Sequence, residues 1–253
     1  MRIAVSNLAA PDWTLERMLA AVREHGYEGL ELRLLDGEPI DVLSLDAGTR
    51  RAVGTALARA AVPLVCLDTS IELARPFDRE LPAALELAYE WGAPAVRVFG
   101  GASGELADIA RRLERVLGRA EELGVTIALE THDSFASAVL LGELLQLVGS
   151  TSFAAIWDLH HPYRVGEAAA DVLRALGGRV HLVHVKDARR RDEKWELVAL
   201  GKGEVPVRES LAALRAAGYD RWLTVEWEKR WHPELAEPEV ALPRERETLA
   251  GWL

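Results

Sequence analysis

An α/β chain folded as a (β/α)₈ TIM barrel is predicted by three observations. Eight short apolar runs recur along the sequence, separated by longer segments of helical period. The runs are continuous in Val, Ile and Leu rather than alternating, the pattern of parallel strands buried on both faces. The chain has 253 residues and 49% hydrophobic content, and one such barrel needs about 250 residues. The expectation is a single domain spanning residues 1–253.

The eight strands are read as Ile3–Val5, Gly29–Leu34, Leu64–Leu67, Ala95–Phe99, Val125–Glu130, Ala154–Asp158, Val180–Val185 and Trp222–Glu226. Thr14 caps the first helix, whose apolar stripe is Leu15, Met18, Leu19 and Val22 and whose end is Gly26. Helices are likewise expected from Leu106 to Leu123, stopped at Gly124, from Ser134 to Val148, stopped at Gly149, and from Ala168 to Leu176, stopped at Gly177-Gly178. The last helix is expected after Pro243, from Arg244 to Trp252. About twenty residues connect Val185 to the helix near Val207, a length that marks a functional or disordered loop. The stretch Trp195–Leu200 reads as a small strand that orders this loop over the barrel mouth.

The competing fold, an open doubly wound sheet, announces itself with a glycine-rich turn after its first strand. Val5-Ser6-Asn7-Leu8-Ala9 has no such turn, and the group Gly100-Gly101-Ala102-Ser103-Gly104 is too weak alone to signal a nucleotide. A net charge of −10 argues against broad phosphate-backbone binding, which calls for a basic face. No apolar stretch approaches the roughly 20 residues of a membrane span, and the N-terminal Met1–Ser6 is strand-like rather than signal-like. A cytoplasmic location is expected. The one cysteine, Cys66, excludes an internal disulfide and a multi-cysteine zinc site, and its apolar surroundings read as a buried small residue.

In a TIM barrel the C-terminal strand ends converge on one site. The fifth strand ends in Glu130-Thr131-His132-Asp133, the sixth in Asp158-Leu159-His160-His161, the seventh runs His184-Val185-Lys186-Asp187 and the eighth ends in Glu226-Trp227-Glu228. Taken singly, Asp158 or Asp133 reads equally as a helix cap, and His181 as a packed residue. Taken together, Glu130, Asp158, His184 and Glu226 read as ligands of one divalent metal ion. Three carboxylates and an imidazole form a mostly hard set suited to Mn²⁺, Mg²⁺ or Co²⁺ and able to take Zn²⁺. Without a cation the three acids would repel one another. Lys186, Lys202, Arg97, Arg189 and His132 are candidates to hold substrate oxygens, a phosphate or a carboxylate, with solvation or an ion pair as the plain alternative. Trp157, Phe99 and Trp227 flank the rim, as an apolar wall or as core.

The set Glu130-Thr131-His132-Asp133, Asp158-x-x-His161-Pro162, His184-Val185-Lys186-Asp187, Gly201-Lys202-Gly203-Glu204-Val205-Pro206 and Val225-Glu226-Trp227-Glu228 resembles the xylose-isomerase-like TIM barrels. These are the sugar phosphate isomerase/epimerase proteins, related to ketose 3-epimerases, hydroxypyruvate isomerase and inosose dehydratase. The resemblance covers nearly the whole chain, including Gly26-Tyr27-Glu28-Gly29-Leu30-Glu31-Leu32-Arg33. It implies that the same four residues hold the metal and that Glu130 and Glu226 also form the catalytic acid/base pair. It further implies that His161 contacts a substrate oxygen and that an arginine soon after the seventh-strand histidine, Arg189 or Arg190, binds substrate. The Lys186-Asp187 pair departs from the family's glycine-containing turn there.

The expected function is a divalent-metal-dependent isomerase or epimerase of a small sugar, sugar phosphate or related hydroxy-carbonyl compound, working by proton transfer through an enediolate. A metal-dependent lyase of the inosose or dehydroshikimate dehydratase type uses the same groups. An endonuclease IV-like nuclease would need three metals and more ligands than seven histidines readily supply. A non-catalytic sugar-binding protein is the remaining alternative. The partner expected is a small carbohydrate, with no nucleic acid and no membrane, and the chain is compatible with a homodimer.

Overall fold

A computed structural model describes residues 1–102 and 104–253; Ser103 of the glycine-rich group lies outside them. In chain order the elements are β1 (Arg2–Ser6), α1 (Leu15–Glu24), β2 (Gly29–Leu32), a small ribbon of β3 (Leu34–Leu35) and β4 (Glu38–Pro39), α2 (Ala47–Ala60), β5 (Leu64–Glu72), α3 (Glu80–Trp91) and β6 (Ala95–Phe99). There follow α4 (Leu106–Leu123), β7 (Thr126–Glu130), α5 (Ala138–Val148), β8 (Phe153–Asp158), α6 (His160–Arg164), α7 (Ala169–Leu176) and β9 (Val180–Val185). The chain closes with β10 (Asp187–Arg191), β11 (Lys194–Val198), α8 (Val207–Ala216), β12 (Trp222–Val225) and α9 (Pro238–Ala250). The strands β1-β12-β9-β8-β7-β6-β5-β2 form a closed ring, all in parallel register. This is the (β/α)₈ barrel expected. Among the described residues no helix is long and apolar enough to cross a membrane.

The local signals act as their chemistry requires. Thr14 Oγ1 accepts the Arg17 amide at the start of α1, and Gly26, Gly124 and Gly149 take the positive φ that ends their helices.

Strand alternation then organises the barrel interior, because residues two apart share a face. One step lies Ala4, Cys66, Ala95, Ala128, Ile156, Leu182 and Trp222, which pack with Val65 into an apolar plug. Two residues further along their strands stand Asp68, Arg97, Glu130, Asp158, His184 and Thr224, every one buried. Lys186 and Glu226 follow at the next step toward the rim. The barrel thus changes from an apolar floor to a charged layer within two residues of chain.

Several expectations shift. The last helix is not started by Pro243 but contains it, running from Pro238 to Ala250. Proline removes one helical donor, yet the burial of Ala241, Leu242 and Leu249 and the Tyr27 hydroxyl donating to the Leu242 carbonyl at 2.8 Å hold the segment helical. Packing overrides propensity here. The helix expected from Ser134 splits into a 3₁₀ turn, Asp133–Phe135, and α5. The second strand stops at Leu32, where a short ribbon takes over, and the third extends to Glu72. The long connection is a full hairpin, β10 paired with β11, rather than a lone strand; its Trp195 ring meets His160 edge-on at 5.2 Å.

Candidate metal centre

Glu130, Asp158, His184 and Glu226 come from the ends of β7, β8 and β9 and the residue after β12, four neighbours in the ring. Each offers one ligand atom, and these atoms all lie within 4.8 Å of one another. None of the four residues is more than 4% exposed.

Their hydrogen bonds divide each side chain into a held part and a presented part. Asp158 Oδ1 accepts the amides of His160 at 2.8 Å and His161 at 3.1 Å. The carboxylate therefore does cap the short helix α6, and it leaves Oδ2 in the cluster without an aligned hydrogen-bond donor. Lys186 Nζ is 2.8 Å from that oxygen and 2.7 Å from Glu226 Oε2, and it also reaches Glu228. Glu130 Oε2 accepts from the Arg97 guanidinium at 2.7 Å. His184 points Nδ1 at Glu130 Oε1, 3.2 Å away, and at Glu226 Oε1, 3.5 Å away. Its Nε2 lies 2.8 Å from Glu31 Oε1.

The charges are strongly coupled by burial. Desolvation pushes the Glu130 carboxyl up, but His184 and Arg97 outweigh it and hold this acid well below the usual range. Asp158 is lowered in the same way by Lys186 and His161, against its own burial. For Glu226 burial wins over Lys186 and His184, and its pKa is pushed up to about 7. Burial works against the His184 and Lys186 cations, yet the surrounding acids hold both pKa values well above their ordinary ones. A divalent cation fits this donor set: the atoms converge, they are hard oxygens plus one imidazole nitrogen, and Asp158 Oδ2 has no aligned donor.

The remaining predicted residues separate into three groups. His161 is buried with both ring nitrogens unpartnered and meets His132 edge-on at 4.5 Å. His132 in turn lies against Phe99 at 4.7 Å, with Nδ1 2.8 Å from Asp133. Lys186 sits on the ligand carboxylates themselves. Arg97 lies beneath them, buried, with its charge engaged by Glu130 and near Asp68. Arg189 is not brought to the cluster: it is exposed on the hairpin and pairs with Glu196 at 3.4 Å. Arg190 is exposed beside it, its amide on Glu204. Lys202 is exposed as well. Trp157 and Trp227 are core, and Phe99 alone of the three aromatic candidates keeps partial exposure. The outer helices carry a groove of about 1090 Å³ near Leu45, Arg51 and Trp91, which contains none of the four donors.

Sequence reasoning assigned no role to Glu31, Asp68, Glu228 or His160. The signal for Glu31 was present: an acid inside the wholly buried run Gly29-Leu30-Glu31-Leu32 must have an interior partner. The Gly201-Lys202-Gly203-Glu204 motif, in contrast, proves architectural. Asp187 Oδ2 accepts the Gly201 and Gly203 amides at 2.9 Å each, and Oδ1 accepts those of Ala188 and Val205. A side chain at Gly203 would put its Cβ 2.1 Å from Asp187 Oδ1 and 2.5 Å from the Ala188 carbonyl.

Comparisons with known proteins agree with the barrel fold. The IolI protein, solved with a bound zinc atom, superposes with a TM-score of 0.83 over 100% of this chain and 98% of its own, at 17% identity. A probable 3-DHS dehydratase, AsbF of Bacillus anthracis, gives 0.79 at 17% identity over 99% of both chains. D-allulose 3-epimerase of a Methylomonas species gives 0.78 at 18% identity, over 100% of this chain and 98% of that one. At these identities the likeness is one of fold. By sequence the chain is 27% identical to the uncharacterized protein YihM of Escherichia coli, over 81% of this chain and 65% of that protein. It is 30% identical to a probable endonuclease 4 of Mycobacterium tuberculosis, over 56% of this chain and 62% of that one. The chain thus spans less than two thirds of the length of these relatives. A family model described as the xylose isomerase-like TIM barrel matches residues 19–250. The chain belongs to the xylose isomerase-like TIM barrel family.

Proposed function

We propose that this protein is a divalent-metal-dependent isomerase or epimerase of a small sugar, sugar phosphate or related hydroxy-carbonyl compound. The observation that carries the reading is the convergence of four buried donor atoms, from four adjacent strand ends, within 4.8 Å. Glu130, Asp158, His184 and Glu226 would hold the ion. When bound, such an ion supplies Lewis-acid polarisation of a substrate oxygen.

The chain's own groups supply the proton chemistry. One of the two glutamates, Glu130 or Glu226, takes the proton from the carbon next to the carbonyl. The other returns a proton to the opposite face, which inverts that carbon, or the first delivers it to the neighbouring carbon, which moves the carbonyl. His161, with both ring nitrogens free of protein partners, holds a substrate oxygen at the mouth of the site. Lys186 neutralises charge on substrate oxygens from the side of Asp158 and Glu226.

Metal analysis of protein purified without chelator, combined with the four single ligand-to-Ala variants, tests the reading. One divalent ion per chain, lost in each variant, is expected. A wild-type chain with neither bound nor activating metal would falsify it. A screen of free and phosphorylated ketoses, hydroxypyruvate and inososes then identifies the substrate, with solvent deuterium incorporated at carbon. Loss of water from the substrate would assign the dehydratase form of the same chemistry. The 30% identity to a probable endonuclease 4 supports a second reading, phosphodiester cleavage at abasic DNA. Three zinc ions per chain and cleavage of an abasic duplex would establish it.

A further inference from the structure

We propose that Glu31 is a positioning residue for this centre: it holds the Nε2–H of His184 and thereby turns Nδ1 toward the three carboxylates. The inference rests on reading the four donors as a cation site, and it concerns a residue contributed by the opposite side of the barrel. Glu31 lies on β2, whereas His184 lies on β9, and 153 residues separate them.

The geometry leaves the ring little choice. His184 is fully buried, so both nitrogens must find partners inside the protein. Nε2 is 2.8 Å from Glu31 Oε1, and a carboxylate can only accept there. Once a cation takes the place of the Nδ1 proton, the remaining ring hydrogen stays on Nε2 and the lone pair lies on Nδ1, the atom facing Glu130 and Glu226. A ring without this acceptor could rotate about its bond to Cβ or carry its hydrogen on the wrong nitrogen. Ligating histidines are commonly fixed in this way by a carboxylate behind them.

Glu31 is itself held. Its own ligand atom and those of Cys66 and Asp68 lie within 4.8 Å of one another. Glu31 Oε2 and both Asp68 oxygens are buried without an aligned hydrogen-bond donor, so the two carboxyls sit together in the space behind the His184 ring. Burial and the neighbouring Glu31 push the Asp68 carboxyl well up. Arg97, 3.8 Å from Asp68 and bonded to Glu130, ties the two layers together.

The test uses the full chain with Zn²⁺ as the probe. Zn²⁺ affinity is measured by chelator competition for the wild type, Glu31→Gln, Glu31→Ala and Glu31→Met. Gln retains an acceptor for the ring and is expected to stay within a few-fold of the wild type. Ala and Met are expected to lose about 10–100-fold, the usual effect of removing such a partner. Met nearly conserves the volume, so it carries the test if Ala unfolds the barrel. The ¹⁵N spectrum of histidine-labelled, Zn²⁺-saturated protein gives a readout independent of activity. It should show a hydrogen-bonded Nε2–H on His184 that is lost in Glu31→Met. Wild-type affinity with an unchanged His184 spectrum in Glu31→Met overturns this inference alone. A wild-type chain that fails to bind Zn²⁺ overturns the cation reading and this inference with it.

Discussion

Lys186 Nζ lies 2.8 Å from Asp158 Oδ2, the one oxygen of that carboxylate that takes no backbone amide. A divalent ion held as proposed would therefore compete with the ammonium for this atom. Lys186→Met should raise cation affinity by about tenfold while lowering turnover, because the same side chain serves the substrate. The metal-free protein should lose about 3 kcal/mol, the cost of leaving buried carboxylates without their cation. Thermal melts in chelator and affinity measured by competition check both signs. Affinity and melting both equal to wild type would mean that the contact has no energetic role.

Asp158 performs two tasks with two oxygens, and two substitutions separate them. Asp158→Asn keeps an acceptor for the amides of His160 and His161, whereas Asp158→Ala removes it. Both should abolish measurable metal binding. The metal-free Ala variant should be less stable than the Asn variant by about 1–2 kcal/mol, the value of a lost cap. Denaturant titration of the two variants in chelator decides this.

Gly203 is required by the turn that Asp187 organises. Gly203→Ala drives a Cβ into the Ala188 carbonyl as well as into Asp187, so the backbone must move. A loss of about 2 kcal/mol is expected, with the hairpin β10–β11 and the start of α8 exchanging amide hydrogens faster. Wild-type exchange rates in that segment would refute the assignment.

His181 sets an acid-side limit on stability. Burial, reinforced by the Arg221 charge and opposed by Glu31, lowers its pKa to about 4. Above the ordinary value near 6.5 the ring is neutral in both states, and nothing is lost. Between about 6.5 and 4 the unfolded chain takes up a proton that the folded chain refuses, so stability falls by about 1.4 kcal/mol per pH unit. Below about 4 the loss levels off. His181→Leu should remove this slope, seen as a shrinking gap between wild type and variant as pH rises from 4 to 7. A pH-independent gap would exclude the ring.

The four donors were legible because a barrel delivers consecutive strand ends to one rim, so sequence position alone located Glu130, Asp158, His184 and Glu226. The barrel itself was legible from its continuous apolar strands. Glu31 was harder, since a lone acid between two leucines shows that a partner exists but not that the partner lies 153 residues away. Arg189 could not be placed because the hairpin carries Arg189, Arg190 and Arg191 all into solvent, an outcome that no periodicity in the three records. Pro243 misled the reading of α9 because its local cost is outweighed by packing of Ala241 and Leu242, which only the folded barrel supplies.

The charged layer is built from two halves of the ring. Strands β7, β8, β9 and β12 bring the donors, while β2, β5 and β6 bring Glu31, Asp68 and Arg97 to support them. Glu226 follows β12, the last barrel strand in the chain, which closes the ring against β1. A chain in which β12 has not docked lacks Glu226 at the cluster, whatever the other strands have done. Tight ion uptake during refolding would therefore time the moment of ring closure, reporting on assembly before any substrate is present.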